Sequence, residues 1–243
     1  MPLLPIEIRF TVALNRSFAI GTGFRRGLVH RTIERDADGY IYIPASTLKG
    51  KAREAAGKIA QQMNLEVCQS VRPDSLCSSH KGMSTCLVCR TFGSPGRMLE
   101  NGLVGLYWRD AHLAERYRQV FKSDLNAQMT SRTQVQLSRS RGVAAEDHLF
   151  TSEVALEGLV FDGSVHGRLD ATPLSSDSTE SYELLLLILA LKMVAHLGGG
   201  KSRGSGSCII ELEQVKANHA LIEWKALLKK IDQLGNFSGG KKQ

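Results

Sequence analysis

Four cysteines, Cys68, Cys77, Cys86 and Cys89, follow one another with gaps of eight, eight and two residues. Thiolates bind zinc tetrahedrally, and a Cys-x-x-Cys pair places two of them on one tight turn. The wider gaps depart from the common double Cys-x-x-Cys arrangement. His80 can stand in for one sulfur, and a set of buried free thiols is the alternative. No acidic residue accompanies an open coordination position, so the chemistry expected is structural. A Zn²⁺ ion would hold together an insertion, residues 66–92, whose Ser, Gly and Lys offer little core. Cys208 falls on the apolar face of an alternating stretch and reads as core. Five cysteines in a reducing compartment are metal ligands or free thiols rather than disulfides.

A second constellation binds anions. Leu197 to Cys208 combines five glycines with Lys201 and Arg203. Successive backbone N–H groups in such a loop form anion nests, so Gly199, Gly200, Lys201, Ser202 and Arg203 suit a phosphate. A Walker A loop is excluded, because the glycine it needs five residues before Gly200 is Ala195, and because the loop leaves a helix instead of opening one. A long helix C-cap with Gly198 left-handed is the bland alternative. Lys49, Lys51 and Arg53 crowd the first turns of a helix entered through Ser46 as N-cap. Cations there oppose the helix dipole unless an anion binds. Gly50 in the same turns implies a close approach to the backbone.

Further cations stand at Arg25 and Arg26, beside His30 and Arg31, and at Arg132, Arg139 and Arg141 in a polar stretch from Val120 to Phe150. A stretch that long without structure is functional or disordered, and its arginines suit a protruding arm that touches phosphates. Glu146, Asp147 and His148 in the arm offer acid–base or metal chemistry, or a solvated turn.

The elements that position these groups follow from periodicity. Ile6 to Leu14 alternates as a half-buried strand. Tyr40 to Ile43 is a short strand running into Pro44, and a helix extends to Met63 with Leu48, Ala52, Ala55 and Ile59 on one face. Leu103 to Asp110 is a buried strand. Val154 to Leu169 is a strand pair turning at Asp162-Gly163. A helix through Leu197, apolar nearly all round, is central, and its entry shows capping-box spacing at Asp177 and Glu180. A strand over Cys208 to Leu212 and an amphipathic helix from Asn218 to Leu234 finish the order. Strand, helix, strand, strand, helix, strand is the split βαβ order of an α+β, ferredoxin-like (RRM-like) fold, here with no aromatic RNP signature. The chain, 243 residues, fits one domain with a zinc-binding insertion at 66–92 and a protruding β-hairpin or loop insertion at about 120–152.

A formal charge of +7 suits nucleic acid or an acidic surface. The first residues lack a basic region and a cleavage site, and the longest apolar run, Leu184 to Leu191, is far short of a membrane span. A cytoplasmic protein with no membrane partner is expected.

The motifs together resemble the RAMP superfamily (repeat-associated mysterious proteins), in particular the backbone subunits of type III CRISPR effector complexes. Ile43-Pro-Ala-Ser-Thr-Leu-Lys-Gly-Lys-Ala-Arg53 is similar to the family's I-P-x-S-S-L-K-G-x-x-R helix entry. Phe92-Gly93 is similar to its short F-G element, and Gly198 to Gly206 to its glycine loop. Thr130 to Phe150, with Glu153 and Gly158 to Phe161 behind it, is similar to its thumb. The likeness runs from about Ile6 to Leu212.

The resemblance implies a ferredoxin-like palm that polymerises with copies of itself or close paralogues along a CRISPR guide RNA, beside other effector subunits. Ser46 to Arg53 and the glycine loop would grip the guide, and the thumb would wedge into its duplex with target RNA. Some such subunits carry a zinc-held insertion. Active relatives cut target RNA with an aspartate after the first strand, with Mg²⁺ or another divalent metal; here that position is His30, and imidazole is a poor Mg²⁺ ligand. Asp36, Asp38 or Asp147 would have to substitute. A guide-binding scaffold without chemistry is therefore favoured over a metal-dependent endoribonuclease, with a zinc-stabilised RNA-binding protein unrelated to CRISPR as a third reading.

Overall fold

A twelve-residue strand, β1 (Leu3–Leu14), is the axis of the structure. Its even-numbered side chains from Leu4 to Leu14 are buried while Glu7 and Arg9 face outward, the period-two pattern that packs one sheet face and wets the other. The computed structural model describes residues 3–21, 31–68, 77, 85–94, 105–138, 140–175 and 180–237, without the side chains of Gln136 and of residues 145–148.

Antiparallel neighbours flank β1 on both sides: β7 (Val160–Asp170) on one and β8 (Cys208–Ala217) on the other. Beyond β7 lie β3 (Gly105–Trp108), β4 (Ala111–Leu113) and β2 (Tyr42–Ile43), and beyond β8 the short β9 (Ala220–Leu221). The main path runs β2-β4-β7-β1-β8-β9. The structure is thus a mixed α+β fold built on antiparallel sheets. The helices α1 (Ala45–Gln62), α2 (Leu87–Phe92) and α4 (Tyr182–Lys192) pack against one another beside the buried sheet face. α3 (Glu115–Phe121) and α5 (Trp224–Leu228) are short. In α4, residues 183–191 are all buried, so the helix read as apolar all round is indeed enclosed by neighbours.

Glu183, wholly buried near the start of α4, receives the Arg90 Nε of α2 at 2.8 Å and the Thr172 backbone N–H at 2.8 Å. Arg90 also donates to the Asp170 carbonyl at 2.8 Å. A buried charge survives only when paired and hydrogen-bonded in this way. The network locks α2 against α4 and the end of β7.

Several expectations are corrected. The polar stretch from Val120 takes the hairpin form of the two expected, hairpin or loop: after α3 come a 3₁₀ turn and a long hairpin of β5 (Met129–Ser138) and β6 (Val143–Ala155). Asp162-Gly163 lies inside β7 and not at a turn. Gly163 is there because the Phe10 ring fills the place of its side chain, 2.5 Å from an added Cβ. The real turn is around Gly158, where φ is 80°. α4 ends at Lys192, so Gly198 is not its cap; Ser181 caps its start, accepting from Leu184 N. Asp177 lies outside the described residues. The helix expected from Asn218 is a hairpin turn, with positive φ at Asn218 and His219, then β9, α5 and a 3₁₀ segment. Among the described residues no helix is long and apolar enough to cross a membrane.

Candidate functional site

The cysteine cluster assembles as the spacing required. Cys86 is the N-cap of α2, its Sγ accepting from Cys89 N, so the Cys-x-x-Cys turn becomes the first turn of a helix. Cys68 Sγ lies 3.0 Å from that of Cys77, 3.9 Å from that of Cys86 and 3.6 Å from that of Cys89. All four sulfurs fall within 4.8 Å of one another. Four sulfurs at a Zn–S length of about 2.3 Å stand about 3.8 Å apart in a tetrahedron, so the cluster has the dimensions to hold such an ion. All are free thiols. The Cys86 thiol is pulled down to about 4, chiefly by the hydrogen bond from Cys89, whose own thiol is pushed up in return. Cys77 is raised to about 12 by burial. Sulfurs this close either share protons or share a cation that ionises them all. His80 lies outside the described residues. Cys208 is 3% exposed and its thiol is raised to about 11 by burial, so it belongs to the core.

The start of α1 differs from expectation. Its N-cap is Pro44, which makes no side-chain cap, and Ser46 sits within the first turn. Asp110, at the break between β3 and β4, supplies the anion instead: its Oδ1 accepts from Ala45 N at 2.7 Å. Lys49 is held below its ordinary range by burial and then by Arg53. Lys51 pairs with Glu54 at 2.9 Å. A side chain added at Gly50 would meet nothing, so that turn stands open. Arg53 turns toward the cysteine cluster, donating to the Gly93 carbonyl at 2.5 Å and to Cys89 Sγ at 3.3 Å.

The glycine loop is held by the stretch that leaves β1. Ser17 O accepts from Gly206 N at 2.9 Å and Ala19 O from Gly199 N at 3.0 Å, while Phe18 O between them accepts from Ala155 N at the root of the hairpin at 2.8 Å. Alternate carbonyls thus pin the loop on one side and the hairpin on the other. Gly198 (φ 75°) and Gly206 (φ 76°) are needed for this: a Cβ would stand 2.4 Å from Ala19 O and 1.9 Å from Leu197 O respectively. Lys201 to Arg203 form an exposed 3₁₀ turn between left-handed Gly200 and Gly204.

Between loop, hairpin and the segment after β1 lies a cavity of about 540 Å³ that brings Arg31, Arg132 and Arg203 together with Gly199 and Gly200. Arg203 Nη1 donates to Gln134 Oε1 at 3.0 Å, closing loop onto hairpin. The cavity's carboxylate, Glu153, is already engaged: Oε1 receives Arg35 at 3.2 Å and Oε2 receives Ile33 N at 3.0 Å. The remaining field is cationic and aimed at an anion. Further along the hairpin Val135 and Leu149 stand opposite each other, 45% and 63% exposed.

A sequence profile of the RAMP superfamily matches residues 15–209. The chain belongs to the RAMP superfamily. The matched span contains the cysteine cluster, the hairpin and the whole glycine loop. Among solved structures, this RAMP chain is similar in fold to a chain of the type III-B Cmr-beta complex bound to cognate target RNA, with 12% identity, a TM-score of 0.54 and coverage of 91% of this chain and 98% of that one. It is likewise similar to a chain of type III-B Cmr-beta in the apo state, at 13% identity, TM-score 0.56 and coverage of 85% and 96%. No curated protein sequence matches significantly.

Of the residues singled out in the RAMP sequence, Arg132, Gly199, Gly200 and Arg203 line one cavity, with Lys201 and Ser202 on the adjoining turn. Ser46, Lys49, Gly50, Lys51 and Arg53 form a separate group on α1. Arg141 is exposed at the hairpin turn. Arg25, Arg26, His30 and Arg139 lie outside the described residues, as does the Asp147 side chain. Asp36 is taken up locally: Oδ1 accepts from Asp38 N and Tyr40 N, and Oδ2 pairs with Arg118. Arg31 and Gln134 are among the cavity residues that sequence reasoning missed. Arg31 stood in view as one of three arginines, but only its bridge to Ser152 brings it beside the hairpin.

Proposed function

We propose that this RAMP chain is a guide-RNA-binding backbone subunit of a type III CRISPR effector complex. The observation that carries the reading is the cavity in which Arg31, Arg132 and Arg203 converge on the glycine loop. Three cations beside the glycine loop suit RNA phosphates and read no base, which is what a subunit serving any guide sequence needs. The fold neighbours belong to type III-B Cmr-beta, one of them bound to cognate target RNA, which supports both the complex and the ligand.

The strand order β4-β7-β1-β8, with α1 and α4 on the buried face, supports a ferredoxin-like palm. The whole chain, residues 1–243, is then one domain with a metal-binding insertion at 66–92 and a thumb at about 120–152. The β5–β6 hairpin with its exposed Val135 and Leu149 suits a wedge between guide and target. Zn²⁺ is the ion of choice for four thiolates at these separations, and its role is to hold the insertion against α1 and α4. Lys49, Lys51 and the open turn at Gly50 provide a second contact for the guide backbone. Copies of the chain or close paralogues would continue the filament, with other effector subunits beside it in the cytoplasm.

Asp36, bound into its own turn and paired with Arg118, favours the scaffold over the Mg²⁺-dependent nuclease. The test is to reconstitute the chain with a repeat-derived guide RNA and measure binding of wild type and the Arg31→Ala/Arg132→Ala/Arg203→Ala variant against salt. Wild-type binding with a steep salt slope that falls by about two in the variant is expected, since each of three phosphate contacts contributes roughly 0.7 to a single-strand slope. Equal slopes would overturn the reading.

A further inference from the structure

The Arg53 side chain connects two features so far treated apart, the helix α1 and the cysteine cluster. Its Nη1 donates to the Gly93 carbonyl at 2.5 Å and its Nη2 to Cys89 Sγ at 3.3 Å. Cys89 is wholly buried, so water does not solvate that sulfur. Four thiolates around a divalent ion carry two net negative charges, and a buried cluster of that charge needs hydrogen-bond donors or a cation nearby. Backbone donors are present, from Cys77 N to Cys68 Sγ at 3.2 Å and from Cys86 N to Cys77 Sγ at 3.3 Å. Among the described residues Arg53 supplies the side-chain cation.

We infer that Arg53 is a positioning residue of the metal centre: its guanidinium offsets the charge of the cysteine sulfurs and fastens α1 to the metal-bearing insertion, and it is not a phosphate contact. The inference rests on the proposed reading of the cluster as a metal site. Both ends of the fork are occupied, one by a carbonyl and one by a sulfur, which leaves the planar guanidinium little freedom to turn toward RNA. α1 is then held at its first residue by Asp110 and two turns later by Arg53. Metal loading at the cluster therefore sets the position of the turns that carry Lys49 and Gly50.

The two sides of α2 show why this coupling is mechanical. Arg90, next to Cys89, anchors α2 to Glu183 on α4 from one side, and Arg53 reaches the same short helix from α1 on the other. Cys86 and Cys89 would hold a metal together with Cys68 and Cys77, which would close the remaining side.

The experiment titrates the full-length protein with Co²⁺, whose thiolate charge-transfer absorption reports the centre, and with Zn²⁺ against a chromogenic chelator, for wild type, Arg53→Gln and Arg53→Lys. Guide-RNA binding is measured against salt in the same three proteins, metal-loaded. Expected are 10–100-fold weaker metal binding in Arg53→Gln, a partial return in Arg53→Lys because the charge remains, and an RNA salt slope unchanged in all three. Unaltered metal affinity in Arg53→Gln with a salt slope lower by roughly 0.7 would overturn the inference and restore Arg53 to the phosphate contacts. Wild-type protein with no Co²⁺–thiolate absorption would overturn the metal reading itself and the inference with it.

Discussion

Arg203 and Gln134, 69 residues apart in the chain, meet at 3.0 Å and close the glycine loop onto the hairpin. The bond is neutral on one side and exposed, so its own contribution to stability is small; its value lies in keeping the Arg203 guanidinium over the cavity. Gln134→Ala is expected to leave the melting temperature within about 1–2 °C and to weaken guide-RNA binding about threefold, while Arg203→Ala weakens it tenfold or more. Fluorescence anisotropy with labelled single-stranded RNA reads both, and identical losses in the two variants would show that Arg203 acts only through Gln134.

Two glycines separate binding from folding. Gly50 has open space where a side chain would go, so Gly50→Ala should raise stability by about 1 kcal/mol, the helix propensity difference, and lower RNA affinity by occupying the approach to α1. Gly206→Ala has no such room: with φ at 76° and Leu197 O at 1.9 Å, it should cost about 2 kcal/mol or more. Urea denaturation of the two variants should move in opposite directions.

Breaking the buried pair under α2 should be severe. Glu183→Gln leaves Arg90 paired with the Asp170 carboxylate, at 3.5 Å, and should cost about 3 kcal/mol, whereas Arg90→Met with Glu183→Leu removes the buried pair but takes the guanidinium from Asp170 and should recover part of that loss. A double-mutant cycle by denaturant unfolding checks this; additive losses would mean that the two residues do not stabilise each other.

Glu54 gives a pH signature. Lys58 and then Lys51 hold its carboxyl down at about 2, against an ordinary value of 4.5. A lowered folded-state value means the contribution is fully present above 4.5 and is lost as pH falls toward 2. The group is largely exposed, so solvent screening limits it to about 0.5 kcal/mol. Glu54→Gln should lower the melting temperature slightly at pH 6 and not at all at pH 2, and less at high salt.

The cysteine cluster was legible because spacing alone constrains where a Cys-x-x-Cys turn can place two sulfurs. The central strand and the enclosed helix were legible from periodicity. What escaped has physical reasons. Asp162-Gly163 reads as a turn, yet Gly163 is inside a strand because Phe10 needs the space. Asn218 and His219 fall in a helical pattern of apolar residues, and their positive φ values, which fold the chain back as a hairpin, leave no apolar signal. Asp110 caps a helix that begins 65 residues earlier, a relation no local motif displays. Arg31 joined the cavity through a backbone bridge, so its side chain carried no mark of the role.

Ser17, Phe18 and Ala19 hold the loop and the hairpin through carbonyl oxygens, which every residue type possesses. The frame of the cavity is therefore indifferent to most substitutions along that stretch, and only positions such as Gly198 and Gly206, where no side chain fits, are barred from change. A lineage can replace nearly every side chain around such a frame and still keep a hollow of the same outline. A fold shared at a TM-score of 0.54 with 12% of residues in common is compatible with such tolerance.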